Sequence, residues 1–121
     1  MAVLSASHKL KLIRDYYIER QGRRFFWGTY GFIAYHIESQ VLQIDAMYID
    51  RSHRNQGVCR ALAESLIDTM KVCEDIEQVH AGVQLGLDST KTIQAVLKAG
   101  KFVLDAYDPE EDYEYYVKYL T

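Results

Sequence analysis

The sequence lacks the features that mark several common classes of protein. It has one proline and seven glycines among 121 residues, too few for a disordered or fibrous chain. No apolar run approaches the roughly 20 residues that a membrane-spanning helix needs. Its first residues do not combine a basic segment with an apolar one, so no secretory signal is visible. A cytoplasmic protein without a membrane partner is therefore predicted.

The sequence also has few cysteines and histidines and no excess of basic residues. Cys59 and Cys73 fall in one predicted helix, so both are interpreted as free thiols of a reducing compartment. The four histidines show no metal-ligand spacing, and no glycine turn carries a Walker-type lysine. The formal net charge of −3 argues against nucleic-acid binding, which favours a basic domain. Neither a metal site nor a nucleic-acid partner is predicted.

The chain does have enough apolar residues for one core. They make up 49% of the sequence, which suits a single domain over residues 1–121. Apolar spacings of three and four predict helices over residues 7–20, 58–73 and 89–99. Ser7 would cap the first helix, and Tyr17 would lie on its apolar face. Alternating patterns between turn residues predict strands over residues 24–27, 32–37, 41–49, 79–85, 102–107 and 113–120.

The order of these elements, α-β-β-β-α-β-α-β-β, predicts an α/β (α+β) fold. The first three strands would form an antiparallel meander. The third and fourth strands, joined through a helix, would run parallel by a right-handed crossover. The expected architecture is a mixed, mostly antiparallel sheet with flanking helices.

A basic turn separates the third strand from the second helix. Residues 50–60 read Asp-Arg-Ser-His-Arg-Asn-Gln-Gly-Val-Cys-Arg, with three arginines within ten residues. The start of a helix presents unpaired N–H groups and the positive end of the helix dipole. A diphosphate would be stabilised by both and by the arginines. The turn therefore predicts an anion site, with a plain helix start as the alternative.

One carboxylate interrupts the apolar pattern of the third strand. Alternation puts Asp45 on the same face as Met47 and Ile49, opposite Ala46. A carboxylate in mid-strand is costly unless it is paired or opens onto a cleft. Two interpretations stay open: a general base that takes a proton from an amine, or a structural partner of an arginine or of His36.

The element order and the turn together resemble the GNAT (GCN5-related N-acetyltransferase) family. The family signature is Arg or Gln, two residues, Gly, one residue, then Gly or Ala. Residues 54–59 match its arginine and first glycine and end on Cys59 instead. The family's order of apolar strand, polar turn and helix is also found in the segment MYIDRSHRNQGVCRALAESLIDTMK. A second family element is resembled by the later segment DSTKTIQAVLKAGKF. The resemblance covers about residues 23–120, after an abridged N-terminal region.

This resemblance implies a central pair of parallel strands that splay apart around acetyl-coenzyme A. The pantetheine arm would lie between residues 47–49 and 83–85, and the N–H groups of residues 56–60 would hold the diphosphate. The residues assigned to the cosubstrate in this way are Met47, Tyr48, Ile49, Arg54, Asn55, Gln56, Gly57, Val58, Cys59, Arg60 and Ser89.

The implied activity is direct transfer of an acetyl group to an amine of a small molecule or a peptide. Asp45 would help to deprotonate the amine, and the acidic loop 108–112 would either attract a cationic acceptor or be simply solvated. The family's usual tyrosine acid aligns with Val96. A tyrosine of the last hairpin could replace it or serve only in packing: Tyr107, taken as the candidate, or Tyr113, Tyr115, Tyr116 or Tyr119.

Two other functions stay open. One is a catalytically inactive structural or interaction module, such as a subunit of a larger and even viral assembly. The other is a coenzyme A sensor that binds without transfer. A homodimer or a larger assembly is compatible with each of the three.

Overall fold

The computed structural model describes residues 6–120, apart from the side chains of residues 6, 7 and 17. The predicted roles of Ser7 and Tyr17 therefore lie outside the described residues. No helix in the described range is long and apolar enough to cross a membrane. The elements are α1 (Ala6–Gln21), β1 (Arg24–Trp27), β2 (Gly31–Glu38), β3 (Val41–Ile49), α2 (Val58–Cys73), β4 (Gln78–Gln84), α3 (Thr90–Ala99), β5 (Val103–Asp108) and β6 (Tyr113–Tyr119).

The strands form one sheet in the order β1-β2-β3-β4-β6-β5. Within the described residues, β3 and β4 pair in parallel, and the other neighbouring strands pair antiparallel. α2 packs against β2 and β3, α3 against β4, and α1 against β1. The predicted mixed sheet with flanking helices is confirmed, with a short 3-10 helix over Arg51–His53 that the sequence did not reveal.

β3 and β4 pair only along their first halves. The pairing runs from Val41 opposite Gln78 to Ile44 opposite Ala81, and no further pair joins the described ends of the two strands. Backbone N–H and C=O groups beyond Ile44 and Ala81 are therefore not used between these strands. This is the splayed parallel pair that the resemblance implied.

A bulge in β3 gives the splay a local cause. Tyr35 of β2 faces Ile44, whereas its neighbour Ala34 faces Ala46, so Asp45 is the extra residue. A bulge bends its strand and increases the local twist. Because the bulge begins at the last position paired with β4, it turns the second half of β3 away from that strand.

The bulge also reverses the predicted alternation in β3. Met47 points to α2, where its Sδ lies 3.8 Å from Sγ of Cys59, and Ile49 is buried in the core. Asp45 instead faces the other side of the sheet, with Tyr48, which is 52% exposed. The prediction that Asp45 shares a face with Met47 and Ile49 was wrong, because one extra residue inverts the side-chain parity beyond it.

The core fills the space between the sheet and α2. Its most buried side chains are Ile33, Leu42, Leu66, Val79 and Val83. Burying a side chain such as Leu66 contributes about 1.5–3 kcal/mol relative to leaving it exposed. The apolar spacing that predicted α2 gives it one buried face, and Cys59 is half-buried at the start of the helix. Cys73 is exposed because it is the last residue of the helix.

Candidate functional site

The turn between β3 and α2 is fixed by contacts of its own side chains. The N–H of Asp50 donates to the Tyr30 carbonyl at 2.7 Å, and the Tyr30 ring stacks on His53 with centroids 3.7 Å apart. The Asp50 carboxylate accepts from the Ser52 hydroxyl at 2.8 Å and from Nδ1 of His53 at 3.1 Å. These bonds, that of Ser52 first, lower the pKa of Asp50. The turn is thus shaped without using the N–H groups that follow it.

Arg54, the signature arginine, anchors the turn to β3. Its Nε donates to the carbonyl of Ile49 at 3.0 Å, and its guanidinium lies 5.4 Å from the centre of the Tyr48 ring. Gly57, at the N-cap of α2, has a φ of +77°, and a Cβ placed there would meet no atom within 4 Å. Glycine adopts this left-handed conformation without strain, and it leaves the space beside the helix start open.

The N-terminus of α2 presents unpaired donors. Across the described part of the chain, no acceptor takes the N–H groups of Val58, Cys59 or Arg60, and the first helical bond runs from Ala61 to Gly57 at 3.0 Å. No side chain caps the helix. These N–H groups and the helix dipole make a positive site. Arg60 also lines the space beside it, with its Nε donating to Glu64 at 2.9 Å. Burial raises the pKa of the Cys59 thiol, so this side chain stays neutral at physiological pH.

A cavity of about 510 Å³ opens at this helix start. We call it the helix-end cavity; its walls are residues 47–49 of β3, the turn with the first residues of α2, and the start of α3. Ten of the eleven residues assigned to the cosubstrate line this cavity. The exception is Gln56, whose side chain turns back to the carbonyl of Ser52 at 3.5 Å.

Five further residues complete this cavity: His53, Asp88, Thr92, Ile93 and Val96. Thr92 and Ile93 were missed from the sequence. Ser89, which was predicted, stands at the N-cap of α3 without a side-chain capping bond. From Ser89, positions 93 and 96 lie one and two helical turns further on the same face, which is the signal that could have found them.

A second cavity, of about 400 Å³, lies on the opposite face of the sheet. We call it the aromatic cavity; its lining residues come from α1, the turn that follows α1, β1, β2 and β3, and they were not predicted as a group. They are Leu10, Ile13, Arg14, Arg23, Phe25, Trp27, Phe32, Ala34, Asp45 and Ala46. β3 therefore contributes to both cavities, with its bulge on the aromatic cavity and residues 47–49 on the helix-end cavity.

Asp45 is paired within its half-buried surroundings. Its Oδ2 lies 2.7 Å from Nδ1 of His36 and 3.5 Å from Nε of Arg23, and its side chain is 15% exposed. A carboxylate can only accept, so Nδ1 of His36 carries the donated hydrogen. Both partners foreseen in the pairing interpretation are thus present. Because Asp45 also lines the aromatic cavity, its predicted role as a base stays a prediction.

Tyr107 lies away from both cavities. It sits on β5, separated from β4 by β6, and is 50% exposed. Its hydroxyl donates to Asp112 at 2.9 Å, and this bond raises the pKa of Tyr107. The acidic loop 108–112 lines neither cavity. The catalytic role assigned to Tyr107 stays a prediction that the geometry does not support.

Tyr113, at the start of β6, lies where β3 and β4 part. A Cβ added to Gly82 would collide with the ring and the hydroxyl of Tyr113, so the tyrosine covers the first β4 residue beyond Ala81. Within the described residues its hydroxyl has no hydrogen-bond partner. Burial raises the pKa of Tyr113, and the charges of Tyr115 and Asp45 raise it further.

A sequence profile described as the acetyltransferase (GNAT) family matches residues 7–91, well over half of the chain. The chain belongs to the GNAT family. The family is described as one of acetyltransferases. A search of curated proteins finds no match to this GNAT chain.

Solved structures share the GNAT fold with this chain. RimL, a ribosomal L7/L12 alpha-N-protein acetyltransferase, matches with a TM-score of 0.76 and 14% identity, over 98% of this chain and 74% of RimL. Campylobacter jejuni N-acetyltransferase PseH, in complex with acetyl coenzyme A, matches with a TM-score of 0.71 and 13% identity, over 95% of this chain and 79% of PseH. A Bacillus subtilis acetyltransferase in complex with CoA matches with a TM-score of 0.69 and 14% identity, over 99% of this chain and 96% of the Bacillus protein.

The lengths of the matched structures vary. The chain covers 64% of a putative acyl-CoA N-acyltransferase from Klebsiella pneumoniae but 96% of the Bacillus protein. At such identities the likeness shows the fold alone. The chemistry of this GNAT chain therefore has to be argued from its own side chains.

Proposed function

We propose that the chain transfers an acetyl group from acetyl-coenzyme A to a primary amine. The proposal depends on the helix-end cavity, where the unpaired N–H groups at the start of α2 lie beside the gap between β3 and β4. A diphosphate needs several donors and positive charge, which these groups and Arg60 supply. An amide-bearing arm needs free backbone, which β3 offers beyond Ile44.

The chain's own groups fit the proton transfers of this reaction. The nitrogen lone pair of the amine attacks the thioester carbonyl carbon, a C–N bond forms, the C–S bond breaks, and its electron pair leaves with sulfur. The nitrogen loses a proton to the Asp45–His36 pair, and the thiolate takes one from Tyr113. The raised pKa of Tyr113 keeps its proton in place at neutral pH. Asp45 and Tyr113 lie close enough for the carboxylate to affect that pKa.

Titration calorimetry with acetyl-coenzyme A tests the site. The intact chain should bind it, and Arg60→Glu should weaken binding at least about tenfold, because a carboxylate replaces a cation beside the diphosphate. The change also breaks the exposed Arg60–Glu64 ion pair and sets two carboxylates four residues apart, which costs the helix only about 0.5 kcal/mol, while an acidic residue in the first turn suits the dipole. Lys71→Glu, an equal charge change in the last turn of α2, is the matched control and should leave the affinity unchanged.

Absence of binding at millimolar acetyl-coenzyme A would overturn the proposal. Equal weakening by both variants would show a general effect of net charge rather than a local site. If binding is absent, the interaction module becomes the better hypothesis. It would be supported by the exposed apolar side chains of α1, which are Leu10, Leu12, Ile13, Tyr16 and Ile18.

The two tyrosine candidates can be separated by one pair of variants. Tyr113→Phe removes only a hydroxyl and should lower kcat about 10²-fold, the lower end of what general acid catalysis contributes. Tyr107→Phe is the matched control and should not change kcat, because its hydroxyl is engaged by Asp112 and its strand, β5, is separated from β4 by β6. Thiol release under saturating acetyl-coenzyme A measures both. The reverse result would confirm Tyr107 as the acid.

A further inference from the structure

The aromatic cavity contains a cluster of three rings, of which Trp27 is exposed and Phe25 and Phe32 are half-buried. Trp27 lies 5.6 Å from Phe25 and 5.3 Å from Phe32, and these two phenylalanines are 5.4 Å apart, all between ring centroids. Trp27 is 50% exposed. Aromatic side chains that line a cavity are typical of a binding site for an apolar group.

The cavity ends at the place proposed for acetyl transfer. Asp45 and Ala46 of the bulge form this end, and the next residues of β3 line the helix-end cavity. An amino group beside Asp45 would have its substituent on the rings of Trp27 and Phe32. A volume of about 400 Å³ lies in the lower range of small-molecule pockets, enough for one bulky group and its amine.

The charges around the cavity restrict the acceptor further. Two guanidiniums, of Arg14 and Arg23, and one carboxylate, of Asp45, line it, and the carboxylate of Asp15 lies 3.8 Å from Nε of Arg14 outside the lining. Arg23 and His36 both contact Oδ2 of Asp45, Nε of Arg23 at 3.5 Å and Nδ1 of His36 at 2.7 Å. Glu38 lies beyond His36, 3.7 Å from Nε2, and does not line the cavity. A second positive charge on the acceptor would be repelled by the arginines.

We infer that the acceptor is a monoamine that carries an aromatic or bulky apolar group within a few bonds of its amino group. This inference rests on the proposed acetyl transfer and names the substrate class of that site. The same chemistry occurs in a free arylalkylamine and at the amino terminus of a peptide that begins with an aromatic residue. Polyamines and lysine side chains flanked by other cations are excluded.

Tryptophan fluorescence gives a readout independent of turnover, because Trp27 is the chain's one tryptophan. With coenzyme A present, phenethylamine or a tetrapeptide that begins with phenylalanine should change the emission saturably. Ethylamine and spermidine should leave it unchanged at the same concentrations. The ligand that binds more tightly shows whether the acceptor is a free arylalkylamine or the amino terminus of a peptide. No change with either aromatic ligand, or an equal change with spermidine, would overturn the inference.

Turnover by variants of the cavity completes the test. Trp27→Ala should lower kcat/KM for phenethylamine at least about tenfold relative to ethylamine, and Trp27→Phe should restore most of it. Tyr119→Ala, an equally exposed aromatic outside the cavity, should change neither. Turnover that favours spermidine or ethylamine overturns the acceptor class alone. Failure to bind acetyl-coenzyme A overturns the transfer itself, while the fluorescence titration still decides which amine enters the cavity.

Discussion

Replacing Asp45 with asparagine should lower kcat/KM for the amine roughly 10³-fold, within the range that a general base contributes. Asparagine has the same size and can still accept from His36, but it cannot take a proton from the attacking nitrogen. Acetyl-coenzyme A binding should be unchanged, because Asp45 does not line the helix-end cavity. Steady-state thiol release, with calorimetry of the cosubstrate, measures both quantities.

Glu38→Gln is the matched control for this variant. Glu38 lies on the neighbouring strand, 3.7 Å from Nε2 of His36, and its side chain is 76% exposed. Its loss should leave kcat/KM within about twofold, as expected for an exposed ion pair. If Asp45→Asn kept full activity and only lowered the stability, the carboxylate would be a structural partner of His36 and Arg23, the alternative that the sequence left open.

Leu66→Ala should lower the free energy of unfolding by about 3 kcal/mol, within the range for large-to-small core changes. Leu66 is fully buried, and α2 is the helix that covers the centre of the sheet. For a domain of this size the loss is a large part of a total of about 5–15 kcal/mol. Urea unfolding followed by circular dichroism gives the measurement.

Val72→Ala, on the same helix, is the control for this effect. Val72 is 87% exposed, so its truncation should change the stability by less than about 0.5 kcal/mol. Similar losses from the two variants would mean that α2 is covered on the side that the structure leaves exposed, for example by a second copy of the chain.

The elements of this fold could be predicted because each has a local signal. The spacing of Leu62, Leu66 and Met70 predicts a helix, and the glycine and polar residues before Val58 predict its start. The turn also indicated most of the lining of the helix-end cavity, since the residues assigned to the cosubstrate are close in sequence. Thr92 and Ile93 were missed because they join the cavity only through the packing of α3 beside α2.

The bulge at Asp45 had no such signal. Strict alternation along β3 is a sound expectation, but the extra residue is visible only in the register between β2 and β3. The positions of Tyr107 and Tyr113 relative to the gap between β3 and β4 could not be predicted for a related reason. Both tyrosines flank the same hairpin loop, and only the sheet order shows that β6, and not β5, lies next to β4.

The aromatic cavity could not be predicted either, for a reason of distance along the chain. Ile13, Trp27, Phe32 and Asp45 belong to four elements, and each alone looks like ordinary strand or helix packing. Their meeting depends on how α1 crosses the sheet, which is a tertiary contact without a local pattern.

The position of β6 between β4 and β5 has a consequence for biosynthesis. The ribosome makes β6 after both strands that it joins, so β4 has an unsatisfied edge while the hairpin is still being made. An open edge of this kind can pair with other chains. Nascent protein that stalls before residue 113 should therefore depend on chaperones more than protein released with the strand in place.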